Sequence, residues 1–436
     1  MRLRTVCALW LPLAVSFELM MLEGPAVQGA IGRLPDPALN LAAWGLTMSL
    51  ALLVESPVIM LLATAIALVK DGDSFQALRR FVLRVAFLCT AVTGLVAFTP
   101  LFDAVTGRVM GQPAPIMQAA RPALQIMLFW TAAIAWRRFH QGVLVRHGQT
   151  RRVSWGTAIR LAVTVVTAFG LARWGRLPGA QIGAITLMVA VVTEAIATTG
   201  FALPILRRDV LPLPSPPGET LTQRAIWQFH APLAFTTLLT LLAQPMTSAA
   251  LARLPDPKAT LAAWPVVYTV LLVLRGWGLA LQEITVSLAR APEARPALRQ
   301  FTWLVGGATS GVTALIAATP LLGLYLHEIV RMPADLQSYT RIGIGIGVFL
   351  PLVTALGSWA RGLLVAGGAT KAAYQGMGLN LLTHATLLTL GVLLRLPGMS
   401  VAAGAFTLAS VVEYAYLVRC AALLHAPLET VPVTAK

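Results

Sequence analysis

Four ionisable side chains stand where hydrocarbon would surround them. Glu18 and Glu23 interrupt the first long apolar stretch, Glu55 lies near the middle of the second, and Arg275 lies near the middle of a later one. An unpaired charge in the core of a bilayer is costly, so such residues face a partner, a water-filled path or a ligand. Carboxylates in that position can take up and release a proton or a metal cation. A guanidinium binds carboxylate or phosphate oxygens. The structural alternative is that each is paired or protonated and merely ties helices together. Glu18 and Glu23 are five residues apart and do not share one helical stripe. Enzyme patterns are missing: there is no P-loop, no GxSxG and no HExxH, and the six histidines are dispersed. No catalytic residue, cofactor or metal site is expected, and any pumping must draw on an ion gradient.

The elements that position these groups are membrane helices. The chain is 57% apolar and 11% charged, against roughly 25% charged residues in soluble domains. Its mean hydropathy is +0.76. Apolar stretches of about 20 residues, each long enough to cross a bilayer as a helix, recur from end to end. The alternating ten-residue segments of a membrane β-barrel are absent. The net charge of +16 comes from Lys and Arg at the ends of apolar runs, which fits topology signals and lipid contacts and not nucleic-acid binding. Cys7, Cys89 and Cys420 lie in apolar segments without metal-ligand spacing.

Charge, Pro and Gly divide the chain into twelve expected spans, roughly 7–31, 41–69, 82–102, 117–145, 155–174 and 179–206, then 226–251, 261–289, 301–326, 336–366, 373–394 and 398–424. Residues 1–206 and 226–436 read as two six-helix bundles, joined by a Pro-rich cytoplasmic linker over 207–225. Glu18 and Glu23, together with a counterpart of the first span inside the chain, argue that this span is retained and not a cleaved signal peptide. With the N-terminus inside, 22 of the 33 Lys and Arg fall on the cytoplasmic side and 10 on the other, Arg275 being mid-span. Both termini are therefore expected in the cytoplasm, in a multi-pass plasma-membrane protein of bacterial inner-membrane type.

The two halves repeat one another. Arg33-Leu34-Pro35-Asp36-Pro37 and Leu41-Ala42-Ala43-Trp44 return 220 residues later as Arg253-Leu254-Pro255-Asp256-Pro257 and Leu261-Ala262-Ala263-Trp264. Gly142, Gly148 and Thr150 return as Gly362, Gly368 and Thr370, and Glu194 returns at offset 219 as Glu413. With an even number of spans each, the halves are parallel repeats, and a ligand site is expected in the cleft between them. The fold class is thus all-α, twelve helices in two parallel six-helix repeats around a central cleft. Each RLPDP motif reads as a rigid turn, with its Asp at an exposed turn or N-cap.

Adding 220 to Glu55 gives Arg275, so equivalent positions carry opposite charges that are expected to face the shared cleft, where they either pair across it or divide between a cation and an anion. Glu18, Glu23 and Glu55 are the candidate ion-coupling residues. Arg275, Gln244, Glu283, Arg137 and Arg361 are the candidate substrate-binding residues. Gln244 precedes Pro245, which frees a backbone carbonyl. Glu283 has a helix-end charge as its plainer explanation. Arg137 and Arg361 have snorkelling to lipid phosphate as theirs. Glu194 and Glu413 match between the halves, which argues for a structural role.

The chain resembles the MATE-like branch of the multidrug/oligosaccharidyl-lipid/polysaccharide exporter superfamily, and within it the progressive ankylosis protein family. The resemblance is carried by Leu41-Ala42-Ala43-Trp44-Gly45-Leu46 with Ser49-Leu50 and Pro57, then Ala135-Trp136 with Gly142-Val143-Leu144-Val145-Arg146-His147, and more faintly by Pro351 and the stretch from Trp359 to Lys371. At Glu55 the chain departs from the ankylosis pattern, which has a neutral residue there. The resemblance implies a secondary active exporter that alternates access between two six-helix bundles. A proton or sodium gradient would drive it, with H+ or Na+ as coupling cation, the lipid bilayer as surroundings and a small molecule as substrate. An organic anion such as citrate or a phosphate compound is one substrate class so implied, and the protein is expected to be a monomer. The alternatives are a lipid-linked precursor flippase and a non-transporting membrane scaffold.

Overall fold

The computed structural model describes residues 3–213, 221–288 and 294–425. Among them there are helices and turns and no strand. The long rods are α1 (Leu3–Ile31), α2 (Pro37–Leu68), α3 (Gly72–Phe98), α4 (114–146), α5 (Thr150–Trp174), α6 (Gly179–Val210), α7 (Gln223–Leu251), α8 (Pro257–Leu288), α9 (Arg295–Ala318), α10 (Ala334–Ala366), α11 (Thr370–Leu393) and α12 (Gly398–Ala422). Eleven of these, all but α4, are long and apolar enough to cross a membrane. α4 contains a 3-10 turn at Met127–Phe129 and carries Arg121, Gln125, Arg137 and Arg138, which dilute its apolar run. Large apolar side chains point outward, with Phe87, Val166 and Leu393 each 73% exposed. In water such a surface would aggregate; in a bilayer it is the lipid-facing belt of a multi-pass protein.

Local chemistry sets where the rods begin and end. α3 starts ten residues before the apolar run at 82, because Asp71 and Ser74 form a reciprocal capping box that carries the helix back to Gly72. It stops at Phe98, short of the expected 102, because the residue before Pro100 is driven to extended geometry. α9 stops at Ala318 for the same reason, ahead of Pro320. Of the expected linker, Arg207–Val210 continue α6 as a π-turn, and 214–220 lie outside the described residues.

Both RLPDP segments turn between two rods on one face of the molecule. Asp36 and Asp256 occupy the N-cap positions of α2 and α8 with left-handed φ of 51° and 54°. Neither side chain caps its helix; instead the two main-chain carbonyls accept from Asn40 and Thr260 N–H at 3.1 and 3.0 Å. α2 and α8 pack on each other at the molecular centre, with α7 against α2 and α1 against α8. Two matched hydrogen bonds tie those outer pairs. Trp10 Nε1 donates to the Trp277 carbonyl at 3.2 Å, and His230 Nε2 donates to the Pro57 carbonyl at 2.8 Å. Small residues permit the closest crossings. A Cβ on Gly142 would lie 2.4 Å from Ala65 Cβ where α4 meets α2, and one on Gly362 would lie 2.6 Å from Thr285 where α10 meets α8.

Candidate functional site

A cavity of about 280 Å³ lies between α1, α2 and α4 on one side and α7 and α8 on the other. Its wall is mostly apolar, with Trp44, Trp130, Trp264 and Tyr268 among the lining residues. Into it the rods bring Glu23 from α1, Glu55 from α2, Arg137 and Arg138 from α4, Arg160 from α5 and Gln244 from α7.

Most of these charges are engaged behind the wall. Arg137, 2% exposed, donates through Nη1 to Glu194 Oε2 at 2.5 Å. Arg160 donates through Nη2 to Glu23 Oε2 at 2.5 Å and through Nη1 to Glu194 Oε2 at 3.5 Å. Gln141 Nε2 adds a third donor to Glu194, at 3.1 Å from Oε1. Glu194 thus sits fully buried with two guanidiniums and an amide around it, so its oxygens are matched by donors.

Glu55 and Arg138 differ from this set. Each lines the cavity, and neither forms an ion pair or hydrogen bond through its charged end among the described residues. Glu55 is 6% exposed and lies within electrostatic reach of Arg137, Arg138, Arg160 and Glu23. Three carboxylates and three guanidiniums therefore share one buried region, and one of each remains unengaged. The wall is also unbalanced in hydrogen bonding. Six buried N–H groups of lining residues lack an acceptor, namely those at Trp130 Nε1, Trp264 Nε1, Gln244 Nε2 and the Nε atoms of Arg137, Arg138 and Arg160. A single buried acceptor of the wall, Gln28 Oε1, lacks a donor. Gln28 is otherwise engaged across the cleft, its Nε2 donating to the Pro265 carbonyl at 2.9 Å and Thr269 Oγ1 at 2.8 Å.

The other sequence candidates lie elsewhere. Glu18 is buried on α1 against the α8 backbone, where a Cβ on Gly276 would come within 2.4 Å of its Oε1. Arg361 pairs with Glu413, which also accepts from Asn380 Nδ2 at 2.9 Å, and reaches Gln282 Oε1 at 3.3 Å. Glu283 is an exposed residue of α8 away from the cavity. Arg275 lies over the Phe406 ring at 5.2 Å, with its Nε buried and unpartnered. Of the two arrangements expected of Glu55 and Arg275, the cross-cleft pair is not formed. Glu55 stays on the cavity wall with Arg137, Arg138 and Arg160, while Arg275 lies against Phe406.

Sequence reasoning took Arg138 only with Arg137, as basic groups toward the cytoplasmic mouth that either snorkel to lipid phosphate or attract an anion, passed over Arg160, and gave Glu194 only a structural part. A signal was available. Arg160 plus 220 is Asn380 and Gln141 plus 220 is Arg361, so the partners of Glu194 and Glu413 occupy matching places with charge redistributed among them. Among the described residues no group of three or more His, Cys, Asp or Glu is placed to hold a metal ion.

No family model matches the sequence, and neither does any curated protein. The fold is that of known transporters. A multidrug resistance MATE family transporter of the MOP superfamily, in its inward-facing conformation, matches with a TM-score of 0.61 at 14% identity, over 97% of this chain and 99% of that one. A MOP superfamily transporter from Pyrococcus furiosus, described by the reverse polarity of its binding pocket, matches at 0.63 and 16% identity over 97% and 96%. The lipid II flippase MurJ, in an inward closed conformation, matches at 0.72 and 12% identity over 94% and 87%.

Proposed function

We propose that the chain is a secondary active exporter that works by alternating access, with the cavity between α1, α2, α4, α7 and α8 as its binding site and a proton or sodium gradient as its driving force. In this reading the chain forms two parallel six-helix bundles, 1–206 and 226–436, that rock about the cleft. Both termini are cytoplasmic, the RLPDP turns face outward, and the protein acts as a monomer in a bacterial inner membrane. The observation that carries it is the unengaged pair Glu55 and Arg138 on the wall of a mostly apolar cavity. Glu23 and Glu194 are already neutralised by Arg160 and Arg137, so Glu55 is the carboxylate free to exchange a coupling cation. Glu23 is the second coupling group, released only when Arg160 moves.

The substrate that suits the wall is an organic anion, a carboxylate or a phosphate compound. It would meet Arg138 with its charge, at a wall in which unpartnered N–H groups outnumber unpartnered acceptors. Its apolar part would lie against Trp44, Trp130 and Trp264. The test is uptake or efflux in proteoliposomes with imposed proton and sodium gradients, screened against organic anions and organic cations. Transport of at least one anion, driven by at least one gradient, is expected; indifference to both gradients sinks the reading.

A flippase for lipid-linked precursors is the second reading, favoured by the shared fold with MurJ and by the three arginines at the cavity. The cavity volume speaks for a small solute, since pockets of roughly 300–1,000 Å³ hold drug-sized molecules. Scrambling of a labelled polyprenyl-phosphate lipid by the same proteoliposomes, with no soluble anion moved, would decide for the flippase.

A further inference from the structure

The RLPDP motif does more than turn the chain. Arg33, its first residue, leaves α1 and reaches across the cleft to the π-turn Tyr325–Ile329, donating Nη1 to the Ile329 carbonyl at 2.7 Å and Nη2 to the Glu328 carbonyl at 3.2 Å. Arg253 leaves α7 and reaches the other way to the π-turn Ala104–Val109, donating Nη1 to the Met110 carbonyl at 2.8 Å and Nη2 to the Val109 carbonyl. Val109 and Ile329 are themselves 220 residues apart. The two contacts share the matched carbonyls of Ile329 and Val109, with the second acceptor one residue earlier for Arg33 and one later for Arg253, and they run in opposite directions across the cleft on the face that carries both turns.

The receiving ends are built for it. After each π-turn the chain closes with matching bonds, Gln112 N–H to the Thr106 carbonyl at 2.9 Å and Met332 N–H to the Leu326 carbonyl at 2.8 Å. Between them Gly111 and Arg331 take left-handed φ of 69° and 53°. That leaves the last carbonyls of each turn pointing outward and unused within the helix, at the negative end of its dipole, where a guanidinium fork fits. Each arginine also donates to a carbonyl of its own rod, Gly29 for Arg33 and Ala249 for Arg253, which fixes its direction. The closest approach leaves no slack: a Cβ on Gly32 would lie 1.6 Å from the Val330 carbonyl oxygen.

The geometry points to a reciprocal latch, in which Arg33 and Arg253 hold the RLPDP face shut and must both release for the cavity to open on that side. The inference rests on the alternating-access reading, because a latch has work to do only if that face opens. Its bonds run from guanidinium to carbonyl and involve no carboxylate of the cavity, so the latch adds no titratable group to the coupling site. It is weak enough to break in each cycle and, being double, cannot be half released without skewing the two sides.

The test reads access to the cavity from each face. Ser248 lines the cavity, and its carbonyl accepts from Gln112 Nε2 at 2.9 Å just below the latch. With Cys7, Cys89 and Cys420 replaced by Ser, a Ser248→Cys reporter is treated with a membrane-impermeant maleimide in vesicles of known sidedness. Removing both sets of charge-assisted bonds with Arg33→Gln and Arg253→Gln should raise labelling from the RLPDP face about tenfold or more, and each single change by less. Gly32→Ala, which wedges the face apart without touching either arginine, should raise it too. An Ala135→Cys reporter, at a fully buried core position, should stay unlabelled and so separates opening from unfolding. If the glutamine pair unfolds, the milder Arg33→Lys with Arg253→Lys and the Gly32→Ala wedge decide. Unchanged Ser248→Cys labelling in folded variants overturns the latch, whether or not the vesicles transport. Raised labelling in vesicles where no gradient moves any solute leaves the latch standing and removes the exporter reading.

Discussion

The buried ion cluster makes a prediction in which the two halves of the chain check each other. Glu194 and Glu413 hold matching places, yet their surroundings differ in charge. Glu194 is fully buried and meets two guanidiniums, Arg137 at 2.5 Å and Arg160 at 3.5 Å, with Gln141 at 3.1 Å. Glu413 meets one guanidinium, Arg361, and the neutral Asn380 at 2.9 Å. Neutralising Glu194 with Glu194→Gln strands Arg137, which has no other carboxylate in contact, while Arg160 keeps Glu23. Breaking a buried pair from one side typically costs about 3–5 kcal/mol. Glu413→Gln leaves Arg361 with Gln282 as acceptor in a partly exposed site, so its cost should be nearer the about 1–3 kcal/mol of a lost charged hydrogen bond. At about 2 °C per kcal/mol, the lower edge of the scale for large domains, thermal unfolding in detergent should fall about 6–10 °C for Glu194→Gln and about 2–6 °C for Glu413→Gln. The double change Arg137→Met with Glu194→Leu should recover much of the loss, because an apolar pair of similar volume leaves no stranded charge. Equal shifts for the two glutamates, or a double variant as unstable as the sum of its singles, would refute the charge-stranding argument.

Two further outcomes follow from the same geometry. Glu55→Gln should leave the fold intact while abolishing the response of transport to the imposed gradient. Combined with Arg275→Ala it should behave additively, within about 0.5 kcal/mol of transition-state free energy, whereas combined with Arg138→Gln it should not. A strong coupling between Glu55 and Arg275 in double-mutant transport rates would reinstate the cross-cleft pair. Gly142→Val should lower the unfolding temperature through overpacking, at about 1–3 kcal/mol, because even a Cβ there would come within 2.4 Å of Ala65. A variant as stable as the parent would mean that α4 and α2 can separate without penalty.

What the sequence made legible was whatever depends on local pattern. Apolar runs placed the rods, since a bilayer leaves the backbone only helices or closed barrels and the alternating pattern of a barrel is absent. Their ends at Phe98 and Ala318 fell short of the expected 102 and 326, where the prolines at 100 and 320 stop the helix before the apolar run does. The offset of 220 pointed to contacts that it could not itself describe. Trp10 and His230 differ in chemistry, yet both donate a ring N–H to a main-chain carbonyl of the facing rod, at Trp277 and Pro57, which are also 220 apart. Main-chain acceptors are blind to side-chain identity, so such contacts survive where residue types diverge. Charges obey a different rule and were misjudged on that account. Equivalence of Glu55 and Arg275 suggested that they could meet, but a buried charge settles beside whatever opposite charge lies nearest. For Glu55 that is the arginine set of α4 and α5, whose members lie about 80 to 105 residues away in the chain and only come together in the fold. Arg138 was not separated from Arg137 for the complementary reason. Next to Arg137 it reads as half of a basic pair at a helix end. Only the packing of α4 shows that Arg137 points back to Glu194 while Arg138 is left at the cavity without a partner, and that difference makes one of them part of the scaffold and the other the group best placed to meet a ligand.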